Sequence, residues 1–148
     1  MELAAWGQSD PPLLQAALLH DTVEDTPTSV DEIRVGFGPQ VAVLVEWLTA
    51  PDEPEAERRY YARLQSESPP AARVLKLADR VDNLRSIQAL VVRTGDRYRR
   101  WAGSYLGRTE WQVVPLAAGA PAVAGAALRA AIADLAPLVA RDGAFIGP

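Results

Sequence analysis

Two short clusters of ionisable side chains carry the residue types that metal and phosphate chemistry needs. The first is Leu-Leu-His-Asp-Thr-Val-Glu-Asp-Thr at residues 18–26, and the second is Lys-Leu-Ala-Asp-Arg-Val-Asp-Asn-Leu-Arg at residues 76–85. Imidazole nitrogens and carboxylate oxygens are ligands for divalent ions such as Mn²⁺, Fe²⁺ or Zn²⁺. Lysine and arginine side chains make charge-assisted hydrogen bonds with phosphate oxygens. The two clusters together therefore predict a metal site that acts on a phosphorylated substrate.

The first cluster contains one histidine and three carboxylates. One helical turn would place His20 beside Glu24 and Asp21 beside Asp25. The carboxylates repel one another at this spacing, and they lie at the end of a helix where the dipole is already negative. A bound cation would offset that repulsion. The alternative is a solvated helix end with a surface histidine.

The second cluster centres on Asp79, which falls close to the core-facing stripe of its helix. A carboxylate in that position needs a basic partner or a metal ion. A salt bridge from Asp79 to Lys76 or Arg80 would satisfy it without any catalytic role. Considered together with the first cluster, Asp79 is predicted to share one ion with the histidine and an aspartate, while Lys76 and Arg80 contact the phosphate. The predicted metal ligands are His20, Asp21 and Asp79.

Helical spacing of apolar residues, with proline and glycine between the segments, predicts that helices position both clusters. The helix of the first cluster begins at Asp10 and is predicted to end near Thr26, because Pro27 disfavours helical geometry in the residue before it. Ser29 and Glu32 have the spacing of a capping box. No stretch alternates as a strand does, so we predict an all-α fold, a single helical bundle over 1–148. Further helices are predicted at residues 29–35, 39–49, 55–65, 69–92, 98–116 with interruptions at Gly103, Gly107 and Pro115, and 122–139.

Length and composition narrow the class of protein. A chain of 148 residues suits one domain with a sizeable core, and its net charge of −4 disfavours a general affinity for nucleic acid. The absence of cysteine excludes disulfides and thiolate metal sites. We expect no signal peptide at the start and no membrane span, since no run of about 18 uninterrupted apolar residues occurs. The expectation is a soluble cytoplasmic protein with a phosphorylated small-molecule substrate, and a homo-oligomer is compatible with it.

Two further groups of residues could be interpreted as functional sites, but each has a simpler structural explanation. The four tryptophans are scattered along the chain, so packing is favoured over a stacking platform for bases. Arg97, Arg99 and Arg100 form a basic patch that could contact phosphate, but a solvated helix face is the commoner outcome.

Several motifs resemble the HD hydrolase domain of the RelA/SpoT family. The first is Ala-Ala-Leu-Leu-His-Asp-Thr-Val-Glu-Asp-Thr at residues 16–26, followed by Asp31-Glu-Ile and Phe37-Gly-Pro-Gln-Val. The second, Val-Leu-Lys-Leu-Ala-Asp-Arg-Val-Asp-Asn-Leu-Arg-Ser at residues 74–86, is similar to a later helix of that family, although Asp82 stands where a histidine is common. The resemblance covers residues 13–87, and the tail near residues 113–117 is similar to small stand-alone versions of the domain.

The resemblance implies an HD fold and a Mn²⁺-dependent 3′-pyrophosphohydrolase that acts on guanosine tetraphosphate or pentaphosphate. By matching position, Glu24 and Asp25 would position or deprotonate the attacking water, and Asn83 would contact the nucleotide sugar. These roles agree with known chemistry. A metal ion lowers the pKa of bound water and withdraws charge from phosphorus, and a neighbouring carboxylate can take the proton. The ligands implied by the resemblance are again His20, Asp21 and Asp79.

The resemblance is incomplete at one position. The family uses a second histidine from the helix before the His-Asp pair, and His20 is the only histidine here. Residues 1–6 are similar to the last turns of that helix, so we expect the 148 residues alone to bind metal weakly and to turn over poorly. Two interpretations remain, a longer natural chain that is active and a domain that kept the fold and lost the reaction. The retention of Glu24, Asp25, Asp79 and Asn83 favours the first.

Two alternative functions stay open. One is an HD phosphohydrolase that acts on another nucleotide or phosphate ester. The other is a non-catalytic module that binds a nucleotide or a partner protein, for which metal dependence is not expected.

Overall fold

The computed structural model describes residues 2–51 and 53–140, and all regular elements in that part of the chain are helical. The prediction of an all-α fold is confirmed. The described residues of Met1–Lys76 form one compact unit and those of Leu77–Pro148 form a second. The prediction of a single domain over 1–148 stays a prediction, and it includes Met1, Asp52 and residues 141–148, which lie outside the described residues.

The first unit is built around a central apolar helix, α5. Its elements are α1 (Glu2–Ala5), α2 (Pro11–Leu19), α3 (Thr22–Asp25), α4 (Val30–Phe37), α5 (Pro39–Leu48), α6 (Pro54–Glu67) and the start of α7 (Pro70–Thr94). Helix α5 packs against α2 and against α4. Its predicted apolar stripe is buried, as helical spacing requires for one face of a packed helix. The stripe consists of Val41, Leu44, Val45 and Leu48.

Local sequence signals explain where the helices of the first unit begin. The Asp10 carboxylate accepts a hydrogen bond from the Leu13 backbone N–H at 3.3 Å, which satisfies one of the free donors at the start of α2. The predicted capping box of α4 is confirmed, because the Ser29 hydroxyl accepts from the Glu32 N–H at 3.2 Å and the Glu32 carboxylate accepts from the Ser29 N–H at 2.8 Å. Gly38, with φ of 93°, turns the chain between α4 and α5.

The prediction of one continuous helix from Asp10 to Thr26 is wrong. Helix α2 ends at Leu19, a turn at residues 20–21 follows, and the short helix α3 begins at Thr22. Nδ1 of His20 lies 2.9 Å from the Ala17 carbonyl oxygen, which is the acceptor that the Asp21 N–H would use in an uninterrupted α-helix. A side chain thus competes for a backbone acceptor, and the helix stops there.

The second unit consists of the rest of α7 and the elements that follow. They are a 3₁₀ helix (Gly95–Tyr98), α8 (Arg99–Arg108), a π-helix (Thr109–Val113), a second 3₁₀ helix (Val114–Gly119) and α9 (Ala122–Val139). Helix α8 packs against α9. The predicted core face of α7 is buried in the described structure, and α8 and α9 contribute further apolar side chains. The buried residues include Leu77, Ala78, Val81, Leu84, Ala102, Leu106, Leu128, Ala131 and Leu135.

The predicted interruptions at Gly103 and Gly107 are wrong, because α8 runs through both glycines. Helical geometry changes instead at Thr109, where a π-helix begins, and 3₁₀ geometry follows around Pro115 as predicted. The fully buried Thr109 hydroxyl donates to the Tyr105 carbonyl oxygen at 2.9 Å. This bond occupies a carbonyl of the last α-helical turn, where the regular hydrogen-bond pattern gives way.

Helix α9 agrees with its predicted bounds of 122–139. Within the described residues it is the one helix whose length and apolar composition would allow it to cross a membrane, with a mean hydropathy of 1.6. Arg129 and Asp134 nevertheless interrupt the apolar run. Its buried residues recur at the spacing of one face, which fits a helix that packs against α8.

We expect the capping box to contribute measurably to the free energy of unfolding. Ser29→Ala should lower the free energy of unfolding in urea by about 1 kcal/mol at neutral pH, because it removes the hydroxyl that accepts from the Glu32 N–H. Ser66→Ala is the matched control, since the Ser66 hydroxyl bonds only the Ala62 carbonyl within α6 and should leave the value nearly unchanged. Equal values for the two variants would contradict the assignment.

The same capping box predicts part of the response to acid. Hydrogen bonds from the Ser29 N–H and then the Ser29 hydroxyl hold the pKa of Glu32 below its usual value of 4.5. A carboxyl whose pKa is lowered by folding stabilises the fold above its unfolded pKa and loses that contribution as the pH falls through the folded value. Unfolding curves between pH 7 and 3 should therefore be less sensitive to acid in Glu32→Gln than in the parent chain.

Candidate active site

The turn between α2 and α3 holds the His-Asp pair of the first cluster. Nδ1 of His20 is anchored 2.9 Å from the Ala17 carbonyl oxygen, and Nε2 lies 3.0 Å from Oδ1 of Asp21. The His20 side chain is 23% exposed and that of Asp21 is 60% exposed. The two predicted ligands are therefore neighbours, and the imidazole is held by a backbone atom while the aspartate faces solvent.

The donor atoms of this pair suit a divalent cation. A histidine that binds a metal through one ring nitrogen commonly donates its other N–H to a backbone carbonyl, which sets the tautomer and the ring orientation. His20 has that arrangement if Nδ1 carries the proton, since Nε2 then offers a lone pair beside a carboxylate oxygen. An imidazole nitrogen and a carboxylate oxygen are suitable ligands for Mn²⁺, Fe²⁺ or Zn²⁺. The pair therefore fits as two ligands of such an ion.

The structure brings the predicted site residues together as two pairs. His20 lies beside Asp21 in the first unit, and Asp79 lies beside Asn83 in the second. Over residues 2–51 and 53–140, no group of three or more histidine, aspartate and glutamate side chains could hold a metal ion. The participation of Asp79 as a third ligand stays a prediction.

Glu24 and Asp25, the predicted catalytic carboxylates, both lie in α3 and are exposed. Oε1 of Glu24 accepts a hydrogen bond from the Ala50 backbone N–H at 2.5 Å. Ala50 lies two residues after the end of α5, so this bond connects the acidic turn to a segment 26 residues later in the chain. Glu24 is thereby held in place by the loop after α5.

In the second cluster, Asn83 donates a hydrogen bond from Nδ2 to Oδ1 of Asp79 at 2.7 Å. The two residues are one helical turn apart on α7, which is the spacing that brings their side chains together. Asp79 is half-buried and Asn83 is exposed. The amide thus fixes the orientation of the predicted metal ligand.

The two predicted phosphate contacts are more buried than the sequence indicates. Lys76 is 7% exposed, and its Nζ lies 5.9 Å from the ring centroid of Tyr60. Arg80 is 6% exposed, and its Cζ lies 4.5 Å from the ring centroid of Tyr105. Both cations therefore contact an aromatic face within their own unit. Their role in substrate binding stays a prediction.

An open groove lies along α7 and α8 in the second unit, next to the Asp79–Asn83 pair. Its volume is about 340 Å³. Trp101 and Tyr105 are one turn apart on α8, with ring centroids 5.9 Å apart and ring planes tilted by 42°. The groove has apolar and aromatic walls with a few polar groups, as small-molecule sites commonly do. It is lined by Asn83, Ser86, Ile87, Leu90, Trp101 and Tyr105.

The aromatic wall of this groove is absent from the sequence-based prediction. Core packing, the predicted role of the tryptophans, holds for Trp6, which is 7% exposed, whereas Trp101 is 48% exposed and Trp111 is 63% exposed. The spacing of Trp101 and Tyr105 on a helix was the available signal, since side chains four residues apart share a face. The groove makes Trp101 and Tyr105 candidate ligand contacts.

The prediction of a solvated basic patch is confirmed for Arg97 and Arg100 and is wrong for Arg99. Arg97 and Arg100 are exposed, and Cζ of Arg97 lies 5.2 Å from the ring centroid of Tyr98. The Arg99 side chain is only 18% exposed and pairs with Asp96. The patch is therefore solvated at two of its three arginines.

A helical fold with a His-Asp turn is typical of HD hydrolases, and comparison with protein families agrees. The family model described as "HD domain" matches residues 2–102, which is more than half of the chain. The protein belongs to the HD domain family.

Several curated proteins are similar to part of this chain. The guanosine-3′,5′-bis(diphosphate) 3′-pyrophosphohydrolase MESH1 of Homo sapiens is 50% identical over 86 residues, which cover 55% of this chain and 46% of that protein. The guanosine-3′,5′-bis(diphosphate) 3′-pyrophosphohydrolase of Aquifex aeolicus is 38% identical over 92 residues, covering 59% of this chain and 13% of that protein. The GTP pyrophosphokinase of Streptomyces coelicolor is 37% identical over 89 residues, which cover 55% of this chain and 10% of that protein. The chain thus spans about half the length of the MESH1 proteins and far less of the two bacterial ones.

The bond between Glu24 and the Ala50 N–H can be tested by amide hydrogen exchange. Glu24→Ala should accelerate exchange at Ala50 about 5-fold, which corresponds to a net hydrogen-bond contribution of about 1 kcal/mol. Glu46→Ala, at an exposed carboxylate of α5, is the control and should leave the Ala50 rate unchanged. Unchanged exchange in both variants would show that Glu24 is not held by this loop.

Proposed function

We propose that the protein is a metal-dependent phosphohydrolase that removes the 3′-pyrophosphate of guanosine tetraphosphate or pentaphosphate. The observation that carries the proposal is the His20–Asp21 pair, with one imidazole nitrogen anchored on a backbone carbonyl and the other 3.0 Å from a carboxylate oxygen. Membership of the HD domain family supports a hydrolase. The names of the human and Aquifex relatives support this substrate.

Three side chains would hold the ion in this proposal, which are His20, Asp21 and Asp79. When bound, a divalent ion would withdraw charge from phosphorus and make water easier to deprotonate. HD phosphohydrolases are metal-dependent. Mn²⁺ is the ion that we propose, because the resemblance to the RelA/SpoT hydrolase domain implies it, and imidazole and carboxylate ligands are compatible with it.

The two carboxylates of α3 would divide the handling of water between them. Glu24 already accepts a hydrogen bond from the Ala50 N–H, so it suits a residue that positions the water. Asp25 is exposed and lies next to Glu24 in the same short helix. A solvent-facing carboxylate can take a proton and release it, so Asp25 suits the general base.

The groove along α7 and α8 would receive the nucleoside part of the substrate. No ionisable acid or base lines it other than the Tyr105 phenol, which favours a base and sugar over a phosphate. Trp101 and Tyr105 offer aromatic faces for stacking, and Asn83 offers polar atoms for the sugar. The Asn83–Asp79 hydrogen bond connects this groove to a predicted metal ligand. Lys76 and Arg80 remain in the proposal as cations close in sequence to Asp79.

The remaining parts of the proposal follow from the substrate. A free nucleotide is the expected partner, and a cytoplasmic location would give access to it. Neither nucleic acid nor a membrane is part of the proposed function. A homo-oligomer is compatible with it.

Asp79→Asn tests the proposal, and Asp82→Asn, three residues later on the same helix, is its matched control. With Mn²⁺ and guanosine tetraphosphate, Asp79→Asn should lower kcat/KM for pyrophosphate release at least about 100-fold, since losing an outer-shell partner alone costs about 10- to 100-fold. Asp82 is exposed, and its substitution should change the value less than about threefold. A chelator should abolish the activity of the parent chain.

A panel of phosphate esters distinguishes the alternatives. Preference for another ester would replace guanosine tetraphosphate as the substrate, while leaving a metal-dependent hydrolase. Nucleotide binding without metal dependence and without product would favour a non-catalytic module. Equal activity of Asp79→Asn and Asp82→Asn would remove Asp79 from the site.

A further inference from the structure

One buried arginine connects the two helices that form the groove. Arg80 lies on α7, and its guanidinium stacks on the face of Tyr105 with Cζ 4.5 Å from the ring centroid. Its Nη1 donates a hydrogen bond to the Thr109 hydroxyl oxygen at 3.1 Å. The Thr109 hydroxyl in turn donates to the backbone carbonyl of Tyr105 at 2.9 Å. Arg80 therefore holds Tyr105 twice, through its ring and, by way of Thr109, through its backbone.

A buried guanidinium at this position is more than a packing residue. Arg80 is 6% exposed, so its side chain is buried within the second unit. Burial of a cation is unfavourable unless its partners compensate for lost water, and an apolar side chain of similar length would fill the same space without that cost. Two partners of Arg80 are Tyr105 on α8, which lines the groove, and Thr109 at the start of the π-helix that follows α8.

Tyr105 is the member of the groove that this interaction controls. It lines the groove, and its ring lies 5.9 Å from that of Trp101. Asn83, three residues after Arg80 on α7, lines the opposite wall. The Arg80 contacts thus connect α7 to the aromatic wall of α8 and limit how far that wall can move. The π-helix begins at Thr109, and such local changes of helical geometry often accompany functional sites.

We propose that Arg80 is a positioning residue that sets the affinity of the groove for a nucleoside by fixing the Tyr105 wall. This inference rests on the proposed function only in that the groove receives the nucleoside. Arg80 acts through Tyr105 and Thr109, so its loss should raise the Kd of the groove for a nucleoside. A solely structural role would instead lower stability without a selective effect on nucleotide affinity.

Two pairs of variants and one control test the inference. Arg80→Met removes the guanidinium and keeps an extended side chain, whereas Arg80→Lys keeps the charge. Thr109→Val removes the hydroxyl at nearly constant shape, whereas Thr109→Ser keeps it. Arg93→Met, at an exposed position of the same helix, is the matched control. The probe is guanosine 5′-diphosphate, titrated without metal in a calorimeter, so that binding is measured independently of hydrolysis.

We expect Arg80→Met and Thr109→Val to raise the Kd for guanosine 5′-diphosphate about 10-fold, since each removes a charge-assisted or buried contact of the tyrosine wall. Thr109→Ser and Arg93→Met should stay within about twofold of the parent chain. Arg80→Lys should give an intermediate Kd, because an ammonium can lie over the ring but lacks the planar fork of arginine. In hydrolysis assays, KM should rise in Thr109→Val while kcat changes little.

Each result supports or overturns the inference. Parent-like affinity in a folded Arg80→Met or Thr109→Val, or failure of Thr109→Ser to restore binding, overturns it. If Arg80→Met does not fold, as judged by circular dichroism, the Thr109 pair decides. Absence of guanosine 5′-diphosphate binding by the parent chain also overturns it. If guanosine 5′-diphosphate binding depends on Arg80 but no pyrophosphate is released, the proposed function alone is overturned. If hydrolysis is normal and the Arg80 and Thr109 substitutions do not change binding, this inference alone is overturned.

Discussion

The contact between Nδ1 of His20 and the Ala17 carbonyl oxygen is the interaction on which the candidate site depends. It occupies the backbone acceptor that would continue α2, so the helix ends one residue before the histidine. It also holds the imidazole by one nitrogen and leaves the other 3.0 Å from Asp21. The same contact thus ends the helix and orients the imidazole of the proposed metal ligand, so the His-Asp pair lies in a turn with partial access to solvent.

The position of residues around α7 decides the roles that they can take. Successive residues of a helix project about 100° apart, so neighbours in sequence face different surroundings. Asp79 is half-buried and bonded by Asn83, whereas Arg80 is buried against Tyr105. Residues of one short motif therefore lie in different surroundings, with Asp79 and Asn83 paired beside the groove and Arg80 buried in the core.

The groove lies partly beyond the part of the chain that the family model matches. The family match ends at residue 102, and Tyr105 and Thr109 lie after it. The aromatic wall therefore combines Trp101, within the match, with residues beyond it. The groove and the His-Asp turn use different residues, so a substitution in the segment after residue 102 can change the groove without replacing a residue of the turn.

The sequence by itself determined the features that depend on neighbouring residues. The helical class, the capping box at Ser29, the buried stripe of α5 and the bounds of α9 follow from local spacing and from turn residues, so they could be predicted. Only the tertiary structure decided the burial of Lys76 and Arg80, the bond from Glu24 to Ala50, and the groove beside Trp101. These features join residues that are far apart in the chain, and their geometry depends on how helices pack, which no local pattern encodes. The break at His20 belongs with them, because there a side chain occupies a backbone carbonyl oxygen and its orientation depends on packing. At Thr109, where the π-helix begins, the buried hydroxyl and the backbone N–H both donate to the Tyr105 carbonyl oxygen.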